Sequence, residues 1–318
     1  MTAATLTLSL CSQSHRWLAT ALISLILASS GILFELGQPS IFAISSLIIG
    51  SCLFFRDRCL PLGAVLLMLS LAVKPQIGGL IVLYLLVRGI HRRYALAALA
   101  GALALFMCAG MILKMRPISA EWITDLSANV SATVNSGFND PRPANEQAVC
   151  DINLQAITGI FFTDVKEFNT AAWAVFLLLL AVGAVVILRA KSGLEMNLLS
   201  LAALAALSLT PVYHRFYDSR MLLITIPAAM IVYQKRRLLG TFIVALSVLA
   251  EISVQSRVQR LFDIHAAWHS ILQNKVFFIL LLRQQNLELP MIFCLYMIAI
   301  YSIQFPSAPE KPTALPAH

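Results

Sequence analysis

The chain has 318 residues, of which 59% are apolar and 12% are charged. Soluble domains carry about 25% charged residues, so this composition excludes an ordinary soluble protein. The net charge of +8 would suggest a nucleic-acid partner in a soluble protein, but here the basic residues lie in short loops between apolar runs. Basic loops of that kind set the topology of membrane proteins. We therefore expect a lipid bilayer, and no nucleic acid, as a partner.

Apolar runs predict the helices in chain order. They cover residues 17–34, 40–55, 60–73, 77–87, 94–113, 171–188, 197–212, 221–234, 238–253 and 289–305. Only helices or closed barrels satisfy their backbone groups in lipid, and the alternating pattern of a barrel is missing. We therefore predict an all-α fold, a polytopic transmembrane bundle of about 10 helices within a range of roughly 9–11. The range reflects residues 276–282, which are apolar but too few to cross.

The runs 60–73 and 77–87 are short and meet at Lys74-Pro75-Gln76. If both cross and the N-terminus is cytoplasmic, ten basic residues fall in four short loops on one side, as the positive-inside rule expects. These ten are Arg56, Arg58, Arg88, Arg92, Arg93, Arg189, Lys191, Lys235, Arg236 and Arg237. If residues 60–87 crossed only once, the basic loops after this segment would lie on the opposite side of the membrane from the basic loop before it. We therefore predict a multi-pass protein of the cell membrane with the Lys74 turn outside.

The other polar segments then lie on the outer side as well. Within 114–170, apolar residues recur every four positions around Trp122, which predicts an amphipathic helix on the outer interface. A second interfacial piece is predicted at 257–272. In this interpretation residues 1–305 form a single transmembrane domain, and 306–318 form a disordered polar tail.

The sequence lacks the motifs of soluble enzymes and of metal or cofactor sites. It contains no phosphate-binding Gly-rich loop, no His-Glu-x-x-His and no Gly-x-Ser-x-Gly. His214 and Asp218 lie four residues apart, but two candidate ligands do not make a metal site. We therefore expect neither a metal nor a cofactor.

Two polar segments stand out at predicted helix ends. At the Lys74 turn, proline breaks the helix and leaves a cation and an amide at the membrane–water boundary, where a lipid-linked phosphate would lie. Between Tyr213 and Arg220, a histidine, two arginines, two tyrosines and an aspartate fall within eight residues. Arginine suits phosphate binding, and an aspartate at the boundary can act as a base. Both segments also fit a simpler interpretation: a lysine that reaches for the interface, and an aromatic belt with helix-end charges.

These residues carry a resemblance to a known group. The sequence is similar to the polyprenyl-phosphate-dependent membrane glycosyltransferases of the C-type fold, in particular to glycosyltransferase family 87, which contains alpha-mannosyl- and arabinofuranosyl-transferases of mycobacterial envelope synthesis. The similarity covers about residues 25–240, and its pieces come in family order. They are Gly37-Gln38, Leu71-Ala72-Val73-Lys74-Pro75-Gln76, Trp122, Asn153-Leu154-Gln155-Ala156-Ile157, Thr210-Pro211 and Tyr217-Asp218.

The resemblance implies transfer of a mannose- or arabinose-like sugar from a polyprenyl-phosphate donor to a glycan or glycolipid acceptor of the cell envelope, on the outer side of the membrane. For such a reaction we expect Asp218 to be the catalytic acid or base. The residues expected to bind substrate are Gln38, Lys74, Gln76, His214, Arg215, Tyr217 and Arg220.

The sequence departs from the family pattern at its start. The family's catalytic aspartate lies in a first outer loop, whereas here one span precedes Gly37 and Glu35 is the only acid before it. We expect a chain that lacks the N-terminal part of the fold, through truncation or a missed start. A degenerate relative, or the partner of a separate N-terminal half, are the other interpretations. The alternative functions are a membrane transporter and a non-catalytic scaffold of envelope biosynthesis.

Overall fold

The computed structural model describes residues 2–11, 13–28, 38–115, 140–145, 151–211, 214–252 and 273–305, with the single positions 121, 124, 125, 128 and 132. These five single positions are helical, within the segment predicted as an amphipathic helix. Several predictions lie outside the described residues: those for Glu35, Gly37, Trp122 and Tyr213, the piece 257–272, and the tail 306–318.

Helices make up most of the described structure, which confirms the all-α class. They are α1 (Thr2–Ser9), α2 (Arg16–Ala28), α3 (Ser40–Phe55), α4 (Leu60–Val73), α5 (Pro75–Val87), α6 (Arg92–Lys114), α7 (Gln155–Thr158), α8 (Val165–Arg189), α9 (Leu194–Ser208), α10 (Ile226–Lys235), α11 (Arg237–Ile252), α12 (Lys275–Leu282) and α13 (Gln284–Gln304). Two 3-10 helices cover Gln13–His15 and Phe216–Thr225. Two short strands, β1 (Asp151–Ile152) and β2 (His214–Arg215), pair antiparallel.

The turn at Lys74 is confirmed. Lys74 ends α4 and precedes α5, and Pro75 takes the first position of α5. Proline is accommodated there because the N–H that it lacks would have no partner within the helix anyway. The sequence therefore places a lysine between two helices, where its side chain is free to contact other elements.

Two elements differ from the sequence prediction. The helix α1 was not predicted, and the run 221–234 is not one α-helix. Its first part belongs to the 3-10 helix Phe216–Thr225, and α10 begins only at Ile226. Pro227 lies in the first turn of α10 and has no N–H to give to a preceding α-helical turn, so a continuous α-helix through this point would lose a hydrogen bond.

Among the described residues, three helices are long and apolar enough to cross a membrane: α6, α8 and α13. Large apolar side chains such as Phe106 and Met107 on α6, and Leu178 on α8, are exposed on their surfaces. Exposed apolar surface of this extent belongs in lipid rather than in water. The helices α3, α4, α5 and α9 are apolar but shorter, so the count of about ten spans stays a prediction.

The centre of the bundle is α9, in which every residue from Leu198 to Ser208 is buried. It packs against α5, α10, α13 and the 3-10 helix Phe216–Thr225. On the other side of α5, the helices α3 and α4 approach closely at Gly50 and Gly63. A Cβ atom at Gly50 would lie 3.0 Å from the Gly63 carbonyl oxygen, so the small residues permit this helix contact.

Contacts between turns show which of the polar turns lie at the same end of the bundle. At one end, Arg88 Nη2 donates to Ser192 Oγ at 3.1 Å and Lys235 pairs with Glu195. Basic turns that are far apart in sequence are therefore neighbours. Because α5 runs from Lys74 to the Arg88 turn, Lys74 lies at the opposite end of the bundle.

Candidate functional site

The site begins with an ion pair between residues 144 positions apart. Lys74 Nζ lies 2.5 Å from Asp218 Oδ2 and donates a second hydrogen bond to Ser40 Oγ at 2.8 Å. The Asp218 side chain is fully buried, whereas 18% of the Lys74 side chain is exposed. The pair therefore joins the starts of α3 and α5 to the 3-10 helix Phe216–Thr225.

Asp218 Oδ2 accepts two further hydrogen bonds from the segment that precedes it. His214 Nδ1 lies 3.0 Å away, and the backbone N–H of Arg215 donates at 3.3 Å. The strand pair holds this segment in place, with Ile152 opposite His214 and Asp151 opposite Arg215. The local fold thus gathers a lysine, a histidine and a backbone N–H around one carboxylate oxygen.

The electrostatics of the cluster keep Asp218 ionised. Burial alone would raise the pKa of Asp218, but the hydrogen bond and charge of His214, together with Lys74, outweigh it and hold the pKa at about 2. A carboxylate with so low a pKa is a weak proton acceptor and a strong anchor for cations. Asp218 is therefore suited to fix Lys74 and to orient the His214 ring.

Two buried atoms of the cluster have no hydrogen-bond partner among the described residues. They are Nε2 of His214 and Oδ1 of Asp218. Buried polar atoms are nearly always hydrogen-bonded, so these two open atoms could bind a further polar group at the cluster. When the ring is neutral, a histidine whose Nδ1 donates to a carboxylate carries its lone pair on Nε2, which can then accept a proton.

A second buried carboxylate lies beside the cluster. Asp151 Oδ1 is 3.3 Å from Arg215 Nη1, and the Asp151 side chain is fully buried. Burial raises the pKa of Asp151 to about 6, against the opposing charges of Arg215 and Arg283. Asp151 therefore holds the Arg215 side chain next to the strand pair.

The remaining predicted residues divide into two groups. The Tyr217 ring lies near the cluster, with its centroid 5.9 Å from Lys74 Nζ, whereas Arg220 is buried and paired with Glu251 of α11. Gln38 is two positions from Ser40 and Gln76 is two positions from Lys74, and no hydrogen bond joins either side chain to Asp218 among the described residues. The structure thus brings together Lys74, His214, Arg215, Tyr217 and Asp218, with Arg220 in an adjoining ion pair.

Sequence reasoning missed several residues that build the site. Ser40 contacts Lys74, Asp151 pairs with Arg215, and Asn286 Oδ1 accepts the backbone N–H of Asn153 at 2.8 Å. Ser40 stands at the start of an apolar run, which is a signal of a helix start. Asp151 precedes the Asn153 motif by two positions, but nothing in the sequence pointed to its partner.

The N-termini of α3 and α5 both lie at the cluster, at Ser40 and Pro75. A helix N-terminus carries a partial positive charge and unpaired N–H groups. Together with Lys74, these two helix ends make the surroundings of Asp218 favourable for an additional anion, such as a phosphate.

The family of the chain follows from comparison with known proteins. Residues 1–213 of the 318 match the sequence profile of glycosyltransferase family 87. The match ends one residue before His214, so it contains Ser40, Lys74 and Asp151. No curated protein and no solved structure shows a significant match to the chain. The chain belongs to glycosyltransferase family 87, and it is therefore a membrane glycosyltransferase.

Proposed function

We propose that this enzyme transfers a mannose- or arabinose-like sugar from a polyprenyl-phosphate donor to a glycan or glycolipid acceptor of the cell envelope. The reaction takes place on the outer side of the cell membrane, and the N-terminus is cytoplasmic. The observation that carries the proposal is the cluster of Lys74, Asp218 and His214 at the end of the bundle opposite the basic turns. Basic turns favour the cytoplasm, so the cluster belongs on the outer side.

Lys74 is the proposed contact for the donor phosphate. Its side chain is 18% exposed, against 8% for Arg215 and 5% for Arg220, so it is the most accessible of these three cations. Negative charge grows on the phosphate as its bond to the sugar breaks. A cation and two helix N-termini already fixed at that position stabilise the charge without reorganisation.

His214 and Asp218 are the proposed proton-accepting pair. Asp218 Oδ2 accepts a hydrogen bond from His214 Nδ1, which leaves Nε2 to take the proton of the acceptor hydroxyl. The hydroxyl oxygen then bonds to the anomeric carbon, and the polyprenyl phosphate leaves. Asp218 acts through His214 and remains ionised, because its pKa of about 2 lies far below neutral pH. Arg215, Tyr217, Arg220, Gln38 and Gln76 stay the proposed substrate-binding residues around this pair.

The test is transfer of label from polyprenyl-phosphate sugars in membranes that contain the enzyme. Lys74→Ala should abolish transfer per amount of folded protein, because the phosphate loses its cation. Lys114→Ala is the matched control, since Lys114 also ends an apolar helix but is exposed. It should leave transfer unchanged. Full activity of Lys74→Ala would refute the assigned phosphate contact.

Mannose-linked and arabinose-linked donors are compared in parallel with the unaltered enzyme. Because the family consists of glycosyltransferases, the chain is an enzyme, and we no longer consider the transporter alternative. The scaffold alternative predicts no transfer from any donor. Transfer that is lost in His214→Gln and Asp218→Asn would contradict a scaffold and support the proposed pair.

A further inference from the structure

A cavity with several polar side chains in its lining lies at the opposite end of the bundle from the cluster of Lys74. It has a volume of about 330 Å³ and opens between the segment after α1 and the junction of α10 with α11. Its lining residues are Ser14, His15, Trp17, Tyr233, Gln234 and Arg237. A cavity of this size suits a small ligand or the polar part of a larger one.

The chain packs tightly behind this cavity. At Gly240, a Cβ atom would lie 2.2 Å from the Tyr233 Cα atom, so only glycine lets α11 lie directly against the end of α10. The His15 ring meets the Tyr233 ring edge to face, with centroids 5.3 Å apart. Tyr233 is therefore held between two elements, and the wall of the cavity is built by packing that is independent of any ligand.

The charges around the cavity favour an anion. Lys235 is paired with Glu195, and Arg236 donates to the Ser302 carbonyl oxygen at 3.0 Å. The Arg237 guanidinium instead lies over the Tyr233 ring, 5.8 Å from its centroid, and no carboxylate of the described residues pairs with it. The other polar side chains of the lining are hydroxyls, an amide and an imidazole, with no acid among them.

The position of the cavity indicates where the anion comes from. It lies at the end of the bundle where the basic turns meet, and two strongly exposed apolar side chains lie there: Trp17 lines the cavity, and Leu238 follows the lining residue Arg237. Trp17 is 69% exposed and Leu238 is 74% exposed. Indole rings and basic side chains next to exposed aliphatic groups mark the level of lipid headgroups.

We propose that this cavity binds the phosphate-bearing headgroup of an anionic membrane lipid, with Arg237 as the main cation and Trp17 beside the start of the acyl chains. Basic cavities between helices on the cytoplasmic side of membrane proteins bind anionic headgroups. The site is separate from the sugar-transfer site, and the proposal stands whether or not the donor assignment holds.

The experiment measures quenching of tryptophan fluorescence in the purified full chain by lipids with brominated acyl chains. Brominated phosphatidylglycerol should quench at lower concentration than brominated phosphatidylcholine. The decrease in fluorescence quenching in Trp17→Phe gives the part of the quenching that comes from Trp17. Arg237→Gln should weaken phosphatidylglycerol binding about fivefold, in line with the attraction of one basic residue. Arg237→Lys should retain most of the preference.

Arg93→Gln is the matched control, because Arg93 also lies over a tyrosine ring, that of Tyr94, at the same end but outside the cavity. It should bind like the unaltered chain. Equal quenching by the two lipids, or an unchanged preference in Arg237→Gln, would overturn the proposal. Competition by glycerol phosphate at similar concentration would assign the site to a soluble phosphate compound instead of a lipid, and would overturn it too.

Discussion

The ion pair between Lys74 and Asp218 should couple the stability of two distant parts of the bundle. Lys74→Met removes the cation and leaves the Asp218 carboxylate buried, with His214 and the Arg215 N–H as its remaining donors. Breaking a buried pair on one side costs about 3–5 kcal/mol. Because 18% of the lysine side chain is exposed and other donors remain, we expect about 3 kcal/mol, the low end of that range.

A double-mutant cycle separates this coupling from general damage. Asp218→Asn alone should cost about 3 kcal/mol, and the double variant should cost about 4 kcal/mol, which is a coupling energy of about 2 kcal/mol. Ser40→Ala is the control, since it removes a hydrogen bond to Lys74 but no charge. It should cost about 1 kcal/mol. The measurement is denaturant unfolding in detergent micelles, followed by tryptophan fluorescence.

The pH dependence gives an independent check on the same pair. The pKa of Asp218 is lowered from 3.8 to about 2, so its contribution is fully present above pH 3.8 and is lost as pH falls through 2. The penalty of Lys74→Met should therefore shrink as pH falls below 3.8 towards 2, because protonated Asp218 no longer gains from the cation. Additive single and double variants, or a penalty that stays the same down to pH 2, would refute the reasoning.

Three further changes test other parts of the structure. Asp151 has a pKa raised from 3.8 to about 6, so the folded state binds its proton more tightly and stability falls as pH rises between these values. The difference between the unaltered chain and Asp151→Asn should change by up to about 3 kcal/mol over that window in unfolding at stepped pH. Asn286→Leu should cost about 1–3 kcal/mol and speed hydrogen exchange at Asn153, whose N–H loses its acceptor; unchanged exchange would contradict this. Gly50→Ala should lower the free energy of unfolding by about 1–3 kcal/mol, because the added Cβ atom meets the neighbouring helix. Gly79→Ala is the control, since its Cβ atom would meet open space, and it should not lower that free energy. Equal effects of the two changes would refute the close helix contact.

The sequence predicted the helices well because their signal is local. Apolar runs gave α3 and α4 with their observed bounds, and Pro75 marked the turn at Lys74. The break at Ile226 was missed because the apolar run continues through it, and only the surrounding contacts favour a 3-10 helix before Pro227. Apolarity therefore indicates that a segment is helical, but not which kind of helix it forms.

The sequence identified several residues of the site, but it did not indicate which of them contact each other. Lys74 and Asp218 were both chosen from the sequence, yet nothing local indicated that they pair with each other. Asp151 and Asn286 escaped notice because their roles depend on partners that are 64 and 133 positions away. Such contacts are set by the order in which helices pack, and a single sequence does not contain that order in readable form.

The separation of 144 residues between Lys74 and Asp218 has a consequence for biosynthesis. At 5–20 residues per second, Lys74 leaves the ribosome roughly 7–30 s before its partner is made. During that interval α4 and α5 hold an unpaired lysine near the membrane surface, and the early helices can be handled by chaperones or membrane proteases. The arrival of Asp218 then closes the pair and locks the late half of the chain onto the early half. The ion pair of Asp218 with Lys74 can thus form only after the later helices have been made and have packed against the earlier ones.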